Sequence, residues 1–456
     1  MEKDFLWGNS VSSMQTEGAW NEGGKGLSVY DVIEETTTTS DWKQGIDSYH
    51  RYKEDFDLMA EQGMNCYRFQ ISWSRVNPLG DGDFNEEGIK FYHEFIDELL
   101  KRDIKPMICL YHFDMPLNLS KKYNGFLSKE VVKAFYNFSK RMIDEYADNV
   151  NLWITFNEQN FSFMDDEHSF GMAGCLDKNY DINKIYQIGH NMIIAHALVA
   201  NYIHENTKCK IGGMIAYQKV YPATSHPKDI LLAEQIDNFY NQNIVNLLVN
   251  GKYLPIVKQY MKNLKVNIDD FDEEQKIISK VKSDFIAFSY YQSMTVSHEK
   301  ITKNMWINDY LKYAHVKNPY LKSTEWEWEI DSLAFRGVIT ELYNRYRIPI
   351  FPIENGIGVR EDISDDNEFI EDDYRIEYHK DHIKALKDAI EIDGSDVLGY
   401  LGWGLIDIPS SSGDVEKRYG TVFVNRSNHD LKDLRRIPKK SFYWLKDVIK
   451  SNGENI

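Results

Sequence analysis

The chain has 456 residues, of which 42% are hydrophobic and 14% aromatic, and its formal net charge is −18. This composition is typical of a globular protein. The negative charge argues against nucleic acid and anionic membrane surfaces as partners. The chain contains no run of about eighteen apolar residues, which excludes a membrane-spanning helix.

The N-terminus and the cysteines bear on the compartment of the protein. Residues 1–8 carry acidic charge and no apolar h-region, so they do not resemble a secretory signal. The four cysteines are widely spaced, without a C-x-x-C pair, and indicate neither a disulfide nor a zinc site. We therefore expect a cytoplasmic protein that holds no metal.

Short apolar segments alternate with amphipathic helical patterns along the chain. This alternation is typical of a parallel βα barrel, and such barrels run to this length as one unit. The eight strands are predicted near residues 5–8, 65–72, 105–110, 151–156, 209–216, 284–289, 350–353 and 397–403. With no linker or internal repeat, the sequence predicts one α/β domain over residues 1–456, a (β/α)8 TIM barrel with its active site at the C-terminal ends of the strands.

Two glutamates stand at the ends of predicted strands. Glu158 follows the fourth strand and Glu354 ends the seventh, and all strands of a parallel barrel end at one mouth. Glycoside hydrolysis needs such a pair, with one protonated carboxyl to protonate the leaving oxygen and one carboxylate to attack the anomeric carbon. Either residue alone could be an ordinary surface glutamate, but the flanking Asn157 and Asn355 favour a functional pair.

The segments Thr155-Phe156-Asn157-Glu158 and Ile353-Glu354-Asn355-Gly356 resemble the signatures of family 1 of the glycoside hydrolases. The resemblance covers nearly the whole chain. It implies a retaining β-glycosidase without a cofactor, in which Glu158 is the acid/base and Glu354 the nucleophile. Gln159 departs from the Pro of many members and alters the backbone setting of the preceding glutamate.

The resemblance also implies residues that contact the sugar or the nucleophile. Its substrate-binding positions are Gln15, His112, Asn157, Tyr291 and Trp403. Arg68 lies in the apolar second strand, where a buried cation needs a carboxylate, and the family offers Glu354 as its partner; a structural ion pair elsewhere is the alternative. His112 would need companions such as a His-x-His pair to be a metal ligand, and none accompanies it. In the sixth strand, the family's Asn-Tyr-Tyr has become Ser289-Tyr290-Tyr291.

The loop after the eighth strand distinguishes between substrate classes. Ordinary β-glucosidases that resemble this chain have Glu-Trp where Ser410-Ser411 stand, and that Glu grips two sugar hydroxyls. A carboxylate would repel a phosphate dianion, whereas Ser, Lys and Tyr can donate hydrogen bonds to it. Ser410, Lys417 and Tyr419 have the spacing of the 6-phospho-β-glycosidases. Relatives specific for 6-phosphogalactosides carry Trp at the position of Ser411, so the small Ser favours the gluco epimer.

An acidic segment at residues 361–373 follows the seventh predicted strand. Charge runs of this kind are usually solvated. We therefore expect a solvent-exposed loop beside the site, with substrate gating as the alternative.

The sequence predicts a 6-phospho-β-glucosidase whose partner is a small phosphorylated glucoside and whose product is glucose 6-phosphate. An unphosphorylated β-glucosidase and a 6-phospho-β-galactosidase are the alternatives within the class. A non-catalytic sugar-phosphate sensor is the alternative outside it, but it would have no reason to keep both glutamates. The sequence leaves open the aglycone, the strictness of epimer selectivity and the oligomeric state.

Overall fold

The structure is a computed structural model that describes residues 1–179, 181–303, 305–363 and 369–456. Its centre is an eight-stranded parallel sheet. The strands are β1 (Leu6–Ser10), β2 (Cys66–Gln70), β3 (Lys105–Tyr111), β4 (Leu152–Phe156), β5 (Lys210–Ala216), β6 (Phe285–Tyr290), β7 (Ile350–Asn355) and β8 (Gly399–Trp403). All eight predicted strands are present, with ends that differ from the prediction by a few residues.

The sheet curls into a barrel because its two edge strands meet. β8 pairs with β1 in parallel, and on its other side the chain entering β8 bonds to β7. The Ile350 amide donates to the Asp396 carbonyl at 2.9 Å, and the Leu398 amide donates to the Ile350 carbonyl at 3.0 Å. The predicted parallel barrel is confirmed, and the carboxyl ends of its strands share one mouth.

A ring of helices surrounds the barrel. They are α1 (Ser48–Gln62), α2 (Glu86–Leu100), α3 (Lys129–Tyr146), α4 (Ile182–Asn206), α5 (Asn243–Asn250), α6 (Ser332–Tyr346), α7 (Asp373–Glu391) and α8 (Lys440–Lys450). In α3, the Ser128 side chain caps the first turn by accepting from the Glu130 amide. Val131, Phe135 and Met142 then form a buried stripe at helical spacing. No helix in the described ranges has the length and hydrophobicity that crossing a bilayer requires.

The connections carry shorter elements. The further α-helices span Ser13–Thr16, Trp73–Val76, Leu117–Tyr123, Asp166–Met172, Pro227–Asp237, Pro255–Leu264, Phe271–Ile278 and Tyr310–Ala314. Single turns of 3₁₀-helix span Gly125–Leu127, Gln159–Phe163, His298–Lys300 and Ile307–Asp309, and a π-helical turn spans Asn238–Gln242. The short strands Lys219–Pro222, Ser293–Val296, Lys322–Ser323 and Glu329–Ile330 form a second sheet, and Val422–Val424 pairs with Arg436–Pro438.

Side chains alternate between the inside and the outside of the barrel. The inner layer is apolar and includes Cys66, Met107, Ile154 and Phe351, as expected when strand residues point alternately into a barrel and out against its helices. Each of the four cysteines is buried as a free thiol. At the carboxyl ends of the strands, the inward positions become polar, which marks the site described below.

The prediction of a solvated acidic loop is wrong for Glu361 and Asp372, whereas Asp362, Glu371 and Asp373 are exposed. Residues 364–368 lie outside the described part of the chain. The Glu361 side chain is only 5% exposed; it accepts from the guanidinium of Arg375 at 2.6 Å and from the ammonium of Lys439. Asp372 is fully buried against the same guanidinium at 2.9 Å. The sequence pattern does not show this burial because Lys439 joins the cluster from the distant end of the chain.

This buried ion cluster also holds the loop that follows β8. Arg375 donates to the Tyr419 carbonyl at 3.0 Å and to the Ile357 carbonyl at 2.7 Å. Lys439 donates to the Gly420 carbonyl at 2.7 Å. Two fully buried cations, Arg375 and Lys439, therefore fix the backbone of this loop.

We predict that Glu361→Gln destabilises the fold in a pH-dependent way. Burial alone would raise the pKa of Glu361, but the charges of Lys439 and Arg375 outweigh burial and lower it to about 2. The ionised pair therefore stabilises the fold above the ordinary carboxyl pKa of about 4.3, and this stabilisation is lost as the pH falls toward 2. The substitution should cost about 3 kcal/mol near pH 7 and clearly less at pH 3.

Urea denaturation midpoints of the wild type and the variant at several pH values measure this difference. Glu371→Gln is the matched control, because Glu371 is an exposed carboxylate of the same segment. A destabilisation by Glu361→Gln that is the same at pH 7 and pH 3 would contradict the assigned ion pair.

Candidate active site

A cavity of about 1070 Å³ opens at the carboxyl ends of the barrel strands. It brings together most of the side chains that the sequence singled out. The predicted residues in its lining are Gln15, His112, Asn157, Glu158, Tyr291, Glu354, Trp403, Ser411 and Tyr419. Among the described residues, Arg68, Ser410 and Lys417 stand outside this lining, and each is considered below.

Glu158 sits at the point where β4 ends. Its backbone is left-handed, with φ 42° and ψ 53°, a conformation that costs energy in a residue other than glycine and that clusters at functional sites. The next residue, Gln159, is fully buried, and its amide donates to the Met192 carbonyl at 3.0 Å. The turn thus aims the Glu158 carboxyl into the cavity while its neighbour is tied to α4.

Glu354 is held by a cation and a phenol. The Arg68 guanidinium, fully buried in β2, donates to Glu354 Oε1 at 2.6 Å. It also donates to the Asn157 side-chain oxygen at 2.7 Å. The Tyr291 hydroxyl donates to Glu354 Oε2 at 3.1 Å. The predicted Arg68–Glu354 pair is therefore present, and the alternative of an ion pair elsewhere is wrong.

The two glutamates differ in the interactions that oppose the rise in pKa caused by burial. Burial and then the negative charge of Glu354 raise the pKa of Glu158 to about 8, against a hydrogen bond donated by the Ser289 hydroxyl. Burial also raises the pKa of Glu354, but the Arg68 charge and the hydrogen bonds from Tyr291 and Arg68 counter it. At neutral pH, the raised pKa of Glu158 keeps its proton in place, while the Arg68 guanidinium at 2.6 Å favours the ionised form of Glu354.

Gln15, His112 and Trp403 form another part of the wall. The Gln15 amide donates to the Pro409 carbonyl at 2.7 Å, and its oxygen accepts from the Ser12 hydroxyl. The His112 ring lies 5.7 Å from the Trp403 ring, centroid to centroid. Burial and the nearby Arg68 charge hold the pKa of His112 well below its usual range, so the imidazole is neutral. These groups offer uncharged hydrogen-bonding atoms and an aromatic surface.

The three residues of the predicted phosphate site differ in whether they line the cavity. Tyr419 lines the cavity, and its ring lies 6.1 Å from that of Tyr291. Ser410 is buried in its loop, where its hydroxyl is 3.0 Å from the Ser412 hydroxyl and accepts from the Asp414 amide at 3.2 Å. Ser411 and Ser412 face the cavity beside it.

Lys417 packs against Trp328, which lines the cavity. Its ammonium is 3.6 Å from the centroid of the Trp328 ring and 4.7 Å from that of Trp326. It makes no hydrogen bond or ion pair with any residue in the described ranges. Burial lowers the pKa of Lys417 to about 8, with the charge of Asp414 opposing that change.

Two further residues of the site were not predicted from the sequence. Ser289 donates to Glu158; the signal for it was the departure from the family's Asn at that position. Trp328 lines the cavity, with its ring 5.7 Å from that of Tyr291. Its signal was two tryptophans, Trp326 and Trp328, in a turn that is otherwise polar. No group of three or more His, Cys, Asp or Glu within the described residues could hold a metal ion.

Comparison with known proteins gives a consistent result. The model of the family described as "Glycosyl hydrolase family 1" matches residues 1–454. The sequence is 38% identical to the aryl-phospho-beta-D-glucosidase BglA of Bacillus subtilis (strain 168), covering 100% of this chain and 99% of the relative. It is also 38% identical to a 6-phospho-beta-glucosidase of Clostridium longisporum, covering 100% and 98%. The solved family 1 b-glucosidase from Thermotoga maritima superposes with a TM-score of 0.88 at 28% identity, covering 99% and 98%.

The assignment of protons in this site gives a prediction that a carboxyl titration can check. Infrared difference spectra between the wild type and Glu158→Gln should contain a protonated carboxyl that is lost as the pH rises through about 8. Replacing the neighbouring anion by Glu354→Gln should lower the pKa of Glu158, because the repulsion between the two negative charges disappears.

Two results would contradict this assignment. One is a Glu158 that titrates near the ordinary carboxyl value of about 4.3. The other is a Glu158 pKa that rises or stays the same in Glu354→Gln.

Proposed function

The chain belongs to glycosyl hydrolase family 1, and from this membership we propose that it hydrolyses 6-phospho-β-D-glucosides with retention of configuration and releases glucose 6-phosphate. The proposed phosphate specificity rests on Lys417. This residue is a buried cation beside Tyr419, and no carboxylate among the described residues binds it. Both relatives are named as phospho-β-glucosidases, which supports the same substrate class.

In the first step, Glu354 attacks the anomeric carbon and Glu158 protonates the leaving oxygen. Arg68 and Tyr291, at 2.6 Å and 3.1 Å, hold the attacking carboxylate ionised and oriented. The result is a covalent glycosyl-enzyme ester and a free aglycone, with the proton of Glu158 transferred to the aglycone oxygen.

In the second step, Glu158 acts as a base. When Glu354 becomes a neutral ester, the negative charge that raised the pKa of Glu158 is removed, so the pKa of Glu158 falls and its carboxylate can take a proton from water. The water oxygen attacks the anomeric carbon and Glu354 leaves as a carboxylate. The sugar is released with the β configuration and both glutamates regain their original protonation.

The phosphate is bound in this proposal by Ser410, Lys417 and Tyr419. Hydrogen bonds to a charged group are the strong ones, and the Lys417 ammonium offers three donors. Ser410 supplies a hydroxyl at a position where a carboxylate would repel the phosphate. Its hydroxyl exchanges the hydrogen bond to Ser412 for one to the substrate. Gln15, His112, Asn157 and Trp403 would contact the sugar ring.

The substrate and the cysteines indicate the cellular compartment of the enzyme. A sugar phosphate is charged and stays in the compartment where it is formed, and four buried free thiols fit a reducing compartment. We therefore assign the protein to the cytoplasm, as one catalytic domain over residues 1–456. The net charge of −18 gives no surface suited to nucleic acid, so the partner is a small molecule.

Removing the Lys417 ammonium should affect phosphorylated substrates alone. A hydrogen bond to a charged group contributes about 1.5–3 kcal/mol, so Lys417→Ala should lower kcat/KM for 4-nitrophenyl 6-phospho-β-glucoside about 10- to 100-fold. The same variant should leave kcat/KM for 4-nitrophenyl β-glucoside nearly unchanged. Steady-state kinetics with both substrates measure the two effects.

Lys312→Ala is the control for a general effect of charge, because Lys312 lines another part of the same cavity. It should not reproduce the loss caused by Lys417→Ala. Equal losses on both substrates in Lys417→Ala would mean that Lys417 supports the fold, and the phosphate assignment would be wrong.

The gluco epimer should be preferred to the galacto epimer. Ser411 faces the cavity, where its small side chain leaves room for an equatorial O4. Shape differences of this kind are worth about 1–3 kcal/mol, which corresponds to roughly 5- to 150-fold in kcat/KM between the two 6-phosphoglycosides. Ser411→Trp should narrow this ratio, and a wild type that prefers the 6-phosphogalactoside would overturn the assignment.

A further inference from the structure

The buried Lys417 raises the question of what stabilises its charge. Its residue is 6% exposed, and a buried cation is costly unless something compensates its lost hydration. The compensation comes from aromatic faces. The ammonium lies 3.6 Å from the centroid of Trp328, 4.7 Å from that of Trp326 and 5.6 Å from that of Tyr419. Such faces attract a cation through their quadrupole without pairing it with a carboxylate.

Trp326 contacts this cation and also a second one. The guanidinium carbon of Arg360 is 5.4 Å from the centroid of the Trp326 ring. Three carboxylates surround Arg360, namely Glu416 at 3.2 Å, Asp414 at 3.7 Å and Glu325 at 3.9 Å. These three acids are therefore paired with Arg360. The Lys417 ammonium forms no ion pair within the described ranges, and Trp326 contacts both cations.

The stem of Lys417 is also confined. A Cβ added to Gly358 would lie 2.9 Å from both Cγ and Cε of Lys417 and 3.0 Å from Cζ of Tyr419. Those distances are too short for ordinary contacts, so the glycine is needed for the stem to lie there. The position of the ammonium is thus fixed by packing and by aromatic faces, without a salt bridge.

We propose that Trp326 is a positioning residue that determines specificity for phosphorylated substrates. Its ring holds the Lys417 ammonium by a cation–π contact while the neighbouring acids pair with Arg360, so that the ammonium is available to the 6-phosphate. The residue of the proposed phosphate site that Trp326 contacts is Lys417, so we assign its effect to the position of that ammonium. This inference rests on the proposed hydrolysis of 6-phosphoglucosides.

The test compares Trp326→Leu with Trp326→Phe. Leu keeps apolar bulk but removes the aromatic face, whereas Phe keeps a smaller one. Cation–π contacts are worth about 0.5–2 kcal/mol, so Trp326→Leu should raise KM for 4-nitrophenyl 6-phospho-β-glucoside about 2- to 30-fold with kcat unchanged. KM and kcat for 4-nitrophenyl β-glucoside should not change. Trp326→Phe should recover most of the loss in KM.

Two controls keep a folding defect apart from a positioning defect. The unchanged kcat on the unphosphorylated glucoside reports an intact catalytic centre in each variant. Trp444→Leu removes a partly buried tryptophan of α8 and should leave both KM values unchanged.

The outcomes distinguish a failure of the role of Trp326 from a failure of the proposed hydrolysis of 6-phosphoglucosides. A wild type that does not favour the phosphorylated substrate refutes the proposed function, and the role of Trp326 falls with it. If the wild type does favour that substrate, three results would overturn the role of Trp326 alone. They are an unchanged or lowered KM for the phosphorylated substrate in Trp326→Leu, equal effects on both substrates, and equal effects of Leu and Phe.

Discussion

The ion pair between Arg68 and Glu354 inside the barrel is the interaction on which the site depends. A fully buried guanidinium is tolerated only with a bound anion, and here it donates to Glu354 at 2.6 Å and to Asn157 at 2.7 Å. The pair thereby joins β2, β4 and β7 at the barrel mouth and keeps one carboxylate charged. That charge in turn helps to hold the proton on Glu158, so the chemical asymmetry of the two glutamates begins at Arg68.

The buried cations of the protein have three different kinds of partner. Arg68 donates to the protein acceptors Glu354 and Asn157 and acts only through the residues it orients. Lys417 has aromatic faces around it and keeps its donors, although acids stand close by on Arg360. Arg375 and Lys439 form a third case, because they bind carbonyls of the loop that carries Tyr419. In the proposed function, Arg68 orients the nucleophile and Lys417 binds the phosphate, while Arg375 and Lys439 fix the loop backbone.

Much of this arrangement could be predicted from the sequence because it depends on local pattern. The barrel strands follow from short apolar runs between helical segments, and Glu158, Glu354 and Arg68 are identified by their places on those strands. Contacts between distant segments were not predictable in the same way. The burial of Glu361 requires Lys439. The bond from Ser289 to Glu158 requires β4 and β6, which β5 separates in the sheet, to end at the same mouth. The enclosure of Lys417 requires a turn that lies about ninety residues earlier in the chain. The inward position of Ser410 depends on the fold of its own loop, which spacing alone does not specify.

The central claim is that Glu354 forms a covalent ester with a phosphorylated sugar. Trapping with 2-deoxy-2-fluoro-6-phospho-β-D-glucosyl fluoride tests it most directly, because the C2 fluorine slows both steps while the fluoride leaving group permits the first. Peptide mass spectrometry should then find the label on Glu354, and the unphosphorylated inactivator should react at least about 10-fold more slowly. A label on another residue, or equal rates with the two inactivators, would contradict the account.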